Sequence, residues 1–307
     1  MSILVVGSVA FDALQTPFGK VDRCIGGSAT YFSVAASFFT PVELVAVVGD
    51  DFTEEDVSVF RGRKINIDGL QRVPGAKTFF WSGEYGYDLN VAKTRDTQLN
   101  VFADFQPNLT EQQRNTDVLF LANIDPELQY DVLKQCKRPR LVALDTMNYW
   151  ITSKRDALEK VFREVDLIII NEAEARQFTN EANLVKACRQ ILALGPSYLV
   201  VKRGEYGVLM ITKEAIFAAP AYPLETVFDP TGAGDTFAGG FLGYLASRTE
   251  VHDRELRRGI IFGSVLASFT VEKFSLDRLR EIQLSDVYER YQDFRALTHF
   301  DDYEMVS

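Results

Sequence analysis

Between Val227 and Gly240 the chain reads Val-Phe-Asp-Pro-Thr-Gly-Ala-Gly-Asp-Thr-Phe-Ala-Gly-Gly, and Phe241, Leu242, Tyr244 and Leu245 follow with helical spacing. Gly232-Ala233-Gly234 therefore stands where a helix begins, with Asp235 in its first turn. Glycines let the backbone approach a ligand closely, and the amides and dipole of a helix start attract anions. A carboxylate beside such an anion site would repel a bound phosphate. Asp235 has a purpose there if it accepts the proton of a hydroxyl that attacks the phosphorus. The plain alternative is a capped helix start, with glycines in the turn and Asp235 complementing the dipole. Two familiar glycine-rich nucleotide loops do not fit. A dinucleotide fingerprint needs a third glycine where Phe237 stands, and the one Gly-Lys pair, Gly19-Lys20, is followed by Val21.

Other polar residues stand just after short apolar runs, where α/β folds keep their ligands. Asn171 and Glu174 follow Leu167–Ile170, and a spacing of three puts both on one helix face. They read either as a capping pair or, together with Asp229–Asp235 on another strand end, as a water-mediated magnesium site. Asp12 could be a turn residue or a carboxylate that accepts from two neighbouring hydroxyls. Asp145 follows Leu141–Leu144 and receives no role from the sequence.

The elements that must hold these residues alternate. Apolar runs at Ile3–Val6, Leu44–Val48, Val118–Leu121, Leu141–Leu144, Leu167–Ile170, Tyr198–Val201 and Val208–Ile211 lack polar alternation, so they predict strands buried on both faces. Helical patterns lie between them at Ser28–Phe39, Ser153–Arg163, Glu172–Phe178 and Leu184–Leu194. The alternation predicts an α/β fold with a mostly parallel central sheet between helical layers. Residues 76–105 break the rhythm with Phe79, Phe80, Trp81, Tyr85 and Tyr87, and residues 13–24 do the same between Pro17 and Gly19. These two excursions predict a small β-sheet lid, the other reading being an elaborated edge of the main sheet. The aromatics would pack within it, face a substrate or meet a second subunit. With neither repeat nor linker, residues 1–307 read as one domain, and Asp301-Asp302-Tyr303-Glu304 as frayed surface.

Composition narrows the classes. The 33 basic against 43 acidic residues give a net charge of −10, the wrong sign for a phosphate-backbone binder, so no nucleic acid is expected. Three scattered cysteines, Cys24, Cys136 and Cys188, suit a reduced cytoplasm, and two histidines, His252 and His299, make a histidine metal site improbable. No run of eighteen apolar residues predicts a membrane span.

Asp229-Pro-Thr-Gly-Ala-Gly-Asp235 resembles the C-terminal signature of the PfkB carbohydrate kinase (ribokinase-like) family, and the resemblance runs from about residue 3 to about 280. It implies a three-layer α/β/α fold and an ATP-dependent transfer of the γ-phosphoryl group to a sugar or nucleoside hydroxyl. Asp235 would be the base, with the amides of Gly232, Ala233 and Gly234 as anion hole. Gly7 to Asp12 looks like the family's first strand, ending in an Asp that grips substrate hydroxyls. Gly26, Gly27 and Ser28 would lie against the substrate. Asn171, Glu174 and Asp229 would order Mg2+, with a monovalent cation as a further candidate. Lys202, Gly204, Gly207, Thr231, Gly232 and Gly234 would line the nucleotide, and a buried helix over Gly259–Phe274 would wall the adenine. One position departs: the family's sugar-binding Asn slot holds Tyr31. A phenol keeps one donor and adds bulk, which turns the expectation away from plain ribokinase or fructokinase. An exposed aromatic face on the lid would also favour pairing with a second subunit, a homodimer through the lid. A non-catalytic nucleotide or sugar sensor is the rival of another class, opposed by the intact Asp235 and Asn171/Glu174. A dinucleotide-dependent oxidoreductase is the weakest.

Overall fold

Thirteen strands sort into two sheets in the computed structural model, which describes residues 2–299. They are β1 (Ile3–Val6), β2 (Ala10–Thr16), β3 (Gly19–Gly26), β4 (Val42–Gly49), β5 (Ile65–Val73), β6 (Phe79–Tyr85), β7 (Ala92–Gln98), β8 (Val118–Leu121), β9 (Leu141–Asp145), β10 (Leu167–Asn171), β11 (Tyr198–Lys202), β12 (Val208–Ile211) and β13 (Ile216–Ala219). The large sheet has the order β13-β12-β11-β10-β9-β8-β1-β4-β5, parallel from β11 to β5 and antiparallel at β12 and β13. Its strands bury both faces, as their unbroken apolar runs require. Ile3 and Val5 join the core under helices Ser28–Ala36, Ala233–Ala246 and Asp253–Thr270, whereas Leu4 and Val6 join the core under Arg155–Phe162, Glu172–Thr179 and Leu184–Leu192. This is the expected α/β/α layering.

The small sheet has the order β3-β2-β6-β7. Its outer pairs are antiparallel and its central pair, β2 with β6, is parallel. Several expectations need correction. Asp12 does not end the first strand of the large sheet. That strand stops at Val6, and Asp12 is the third residue of β2 in the small one. Within 76–105, residues Asn100–Asp104 form a 3-10 turn whose Val101 enters the core of the large sheet, because that segment returns the chain to it. The helical stretch from Ser153 breaks at Lys154, where φ −137° and ψ 41° separate Asn148–Ser153 from Arg155–Phe162. The helix expected over Gly259–Phe274 spans Asp253–Thr270 and ends before Phe274. Strands β5 and β13 went unread, since Ile65–Val73 mixes Asn, Asp, Gln and Arg into a partly exposed edge. All three cysteines are free. Among the described residues no helix is long and apolar enough to cross a membrane. Residues 301–304 lie outside the described part.

Candidate active site

Three neighbouring parallel strands, β9, β10 and β11, end in Asp145, Asn171 and Lys202. In register Asp145 pairs with Ile169 and Lys202 with Asn171, so all three side chains leave the same face of the sheet. Lys202 reaches across β10, and its Nζ lies 2.7 Å from Asp145 Oδ2. The other oxygen of Asp145 accepts from the Thr146 amide at 2.7 Å. Asn171 caps the helix Glu172–Thr179: its Oδ1 accepts from the Glu174 amide at 2.8 Å, and Glu174 Oε2 accepts from the Asn171 amide at 2.8 Å. The capping reading of this pair is therefore realised. Glu174 is also buried close enough to Asp145, Lys202 and Asp235 to feel their charges.

The turn before Ala233–Ala246 meets this cluster. Gly232 has φ +73°, the left-handed region that favours glycine. A Cβ on Gly234 would fall 2.9 Å from Lys202 Nζ, so the ammonium rests against the turn. Asp229 braces the loop from below, accepting from the Thr231 amide at 2.9 Å and the Ser275 amide at 3.1 Å with different oxygens. The Ala233 amide closes the turn onto the Pro230 carbonyl at 3.2 Å, so it is not open to a ligand as expected. The amides of Gly232, Gly234 and Asp235 have no protein acceptor among the described residues. Three donors, a helix N-terminus and a held ammonium thus lie together at this turn, an arrangement of the kind that attracts anions.

Burial and the neighbouring Asp145 push the Asp235 carboxyl up to about 7, against the pull of Lys202. Burial and Asp145 likewise raise Glu174 to about 7. Asp12, 4 % exposed, is pushed up to about 8 by burial and then by Asp229 and Asp235. A Cβ on Gly26 would fall 1.9 Å from Asp12 Oδ2, so β3 can lie against this carboxylate only with glycine there. Gly27 (φ +95°) and Ser28 turn the chain into the helix beside it, with Ser28 Oγ accepting from the Ser8 amide at 3.2 Å. Tyr31 is buried between the turn and the small sheet, close enough to Asp229 and Asp12 to feel their charges. It is 1 % exposed, its ring would meet a Gly232 Cβ at 2.4 Å, and its buried hydroxyl has no hydrogen-bond partner among the described residues.

On the small sheet, Trp81 pairs with Asp12 in the parallel β2–β6 register and stands on the same face. Its indole lies over Gly83 and donates from Nε1 to Thr94 Oγ1 at 3.2 Å. Tyr85, also on that face, receives a hydrogen bond from Thr231 Oγ1 at 3.1 Å, which ties the small sheet to the glycine turn. Phe79 and Phe80 take no part: Phe79 stacks on Phe102 at 5.1 Å, and Phe80 faces the far side with Phe11. A cleft of about 490 Å³ opens beside the turn, lined by Lys202, Gly204, Gly207, Val227, Gly234 and Phe237. The helix Asp253–Thr270 walls it through Ser264, Ala267 and Ser268. The loop after β6 bounds the mouth with Tyr87 and Asn90, and Asn90 Nδ2 reaches Glu205 Oε1 at 3.5 Å.

Residues 3–281 match the pfkB family carbohydrate kinases. The chain belongs to that family. It is 31 % identical over 255 residues to the cytidine kinase of Thermococcus kodakarensis, covering 81 % of this chain and 90 % of that one. It is 25 % identical over 287 residues to the ribokinase of Lactococcus lactis, covering 89 % and 91 %. The solved nucleoside kinase of Methanocaldococcus jannaschii superposes with a TM-score of 0.77 at 22 % identity, over 95 % of this chain and 98 % of that one. This pfkB chain is thus a phosphotransferase of the sugar and nucleoside kinase class with a ribokinase-like fold.

Within that family frame, sequence reasoning missed two site residues. Asp145 had no visible partner because Lys202 is 57 positions away and only the sheet order brings them together. The signal was present as three successive strand ends carrying Asp, Asn and Lys. Tyr85 is one of the aromatics for which the sequence leaves packing, substrate and a second subunit open, and its alternation with Trp81 along β6 together with the Thr231 bond aims it inward.

Proposed function

We propose that this pfkB kinase moves the γ-phosphoryl group of ATP to a hydroxyl of a nucleoside or sugar, with Asp235 as base. The supporting observation is the convergence of Asp235, three open amides and the Lys202 ammonium at one helix start. A carboxyl near 7 is half ionised at neutral pH, the condition under which a general base works best. Asp235 takes the proton as the acceptor oxygen bonds to phosphorus and the bond to the β-phosphate oxygen breaks, releasing ADP. The amides of Gly232, Gly234 and Asp235 hold the charge on the phosphates, since phosphoryl transfer is mostly positioning and electrostatics. The cleft beside Gly204, Gly207 and Thr231 takes the nucleotide, and Asp12 accepts from acceptor hydroxyls.

Among the described residues no group of three His, Cys, Asp or Glu side chains could hold a metal alone. The donor set fits magnesium that arrives with the phosphates, held through water by Glu174, Asn171 and, at the turn, Asp229. Such an ion neutralises phosphate charge.

A nucleoside is favoured over a bare sugar by Trp81. Its indole stands beside Asp12 on the inner face of the small sheet, where a base attached to the sugar that Asp12 holds would meet it. The cytidine kinase relative points the same way. Steady-state assays with ATP, magnesium and a panel of sugars and nucleosides test this reading. Nucleosides should give a higher kcat/KM than ribose, and Trp81→Ala should raise KM for nucleosides alone. ADP release no faster than without acceptor across the whole panel would overturn it.

A further inference from the structure

We propose that Asp145 is a positioning residue for phosphoryl transfer: it holds the Lys202 ammonium against the anion-binding turn, so that this cation meets the phosphates in one orientation. The proposal rests on the kinase reading above and concerns a residue that lines no part of the nucleotide cleft.

A lysine carries its charge on a flexible four-carbon stem, and a phosphate site gains little from a cation that wanders. Here the stem leaves β11 and crosses β10. Strands lie about 5 Å apart, so β11 and β9 are about 10 Å apart, a gap that the Lys202 stem, the Asp145 carboxylate and the 2.7 Å ion pair span together. The ammonium's direction is fixed at both ends. On one side is the 2.7 Å ion pair with Asp145 Oδ2, and on the other is the backbone of Gly234, against which the ammonium packs.

Asp145 is itself aimed. Its second oxygen accepts from the Thr146 amide at 2.7 Å. Its carbonyl accepts from Gln129 Nε2 at 3.0 Å, and the same amide group donates to the Ala122 carbonyl at 2.9 Å. Gln129 thus locks the ends of β8 and β9 together beneath the carboxylate. Among the described residues Lys202 is the cation paired with Asp145, and the carboxylate side chain is 4 % exposed.

A buried ion pair kept for stability alone is weakly motivated, because apolar residues of similar size often serve as well. A pair with its ammonium turned into an anion site has another use. Asp145 also stands close to Asp235 and Glu174, which keeps one cation shared among three carboxylates until phosphates arrive. The pair therefore holds Lys202 charged and in place without a ligand.

A double-mutant cycle gives the test, with kcat and both KM values measured on the full-length enzyme. Lys202→Met should lower kcat/KM for ATP about 10²-fold, the usual loss for one preorganised electrostatic group. Asp145→Asn should lower it about 10-fold or more, with acceptor KM within about twofold of wild type. Because Asp145 acts through Lys202, the double variant should match Lys202→Met within about threefold. Asp145→Asn strands a buried ammonium, and if it fails to fold, Lys202→Met against the double variant still decides. A further tenfold loss in the double variant, or an Asp145→Asn enzyme with wild-type kcat/KM for ATP, would overturn the proposal. Wild-type protein that phosphorylates no acceptor would instead remove the kinase reading itself.

Discussion

The two halves of the site are built in contrasting ways. On the large sheet, Asp145, Asn171 and Lys202 stand at the ends of strands buried on both faces, and each is held by a hydrogen bond or ion pair of 2.7–2.8 Å. On the small sheet, Asp12 stands on β2, and Trp81 and Tyr85 stand on β6, whose neighbour β7 is exposed along its whole length. Two side-chain links across the site are Thr231 with Tyr85 and Asn90 with Glu205. On the proposed reading, the groups that would meet the transferring phosphoryl need sub-ångström placement and come from the rigid frame. Those that would choose the acceptor come from the sheet with less core behind it, which would open to admit it. The proposal thus separates chemistry from selection.

The sharpest way to break that division is Asp235→Asn. It keeps shape, removes proton affinity and should lower kcat by about 10²–10⁴ with nucleotide affinity nearly unchanged. Retention of kcat within about threefold would put the chemistry elsewhere. Asp12→Ala should act on selection alone. Charge-assisted hydrogen bonds contribute about 1.5–3 kcal/mol each, so acceptor KM should rise at least about tenfold with ATP KM little altered. Equal changes in both constants would dissolve the boundary.

Tyr85→Phe removes one latch of about 1 kcal/mol and should raise acceptor KM about fivefold at constant kcat. Amide exchange across 79–98 should quicken in the same variant while that of Leu167–Ile170 stays slow. Unchanged exchange in 79–98 would show that the latch holds nothing. The smallest effect is on stability. Asp12, Asp235 and Glu174 titrate near 8, 7 and 7, well above their usual range, so the folded protein binds protons that the unfolded chain releases near pH 4. Their contribution is fully present below pH 4 and is lost as pH rises through 7–8. The Tm of the ligand-free protein should therefore fall between pH 6 and pH 9, and Asp12→Asn should flatten part of that fall. A Tm that rises over this interval, or a slope identical in the variant, would contradict the burial of these carboxyls.

Much of this was legible in the sequence because it is local. Unbroken apolar runs mark doubly buried strands, and Gly232-Ala233-Gly234-Asp235 announces a helix start. The helix-free excursions 13–24 and 76–105, the second rich in aromatics, announce a separate sheet. What stayed hidden depends on register or on sheet order. Asp12 reads as the end of β1 until the chain is seen to leave the large sheet at Val6, and Asp145 reads as a lone strand-end acid until β10 is placed between it and Lys202. The fate of the Ala233 amide was equally invisible, since a turn closing on Pro230 is a matter of dihedral angles. Strand β5 hid behind its own polar residues, which an edge position tolerates.

The pH dependence of kcat/KM, measured in parallel on wild type and Asp235→Asn at saturating ATP and magnesium, tests the central assignment most directly. The expected result is an acid limb in the wild type with an apparent pKa near 7, because protonated Asp235 cannot accept the acceptor's proton, and no such limb in the residual activity of the variant. The same limb in both enzymes would contradict Asp235 as the base.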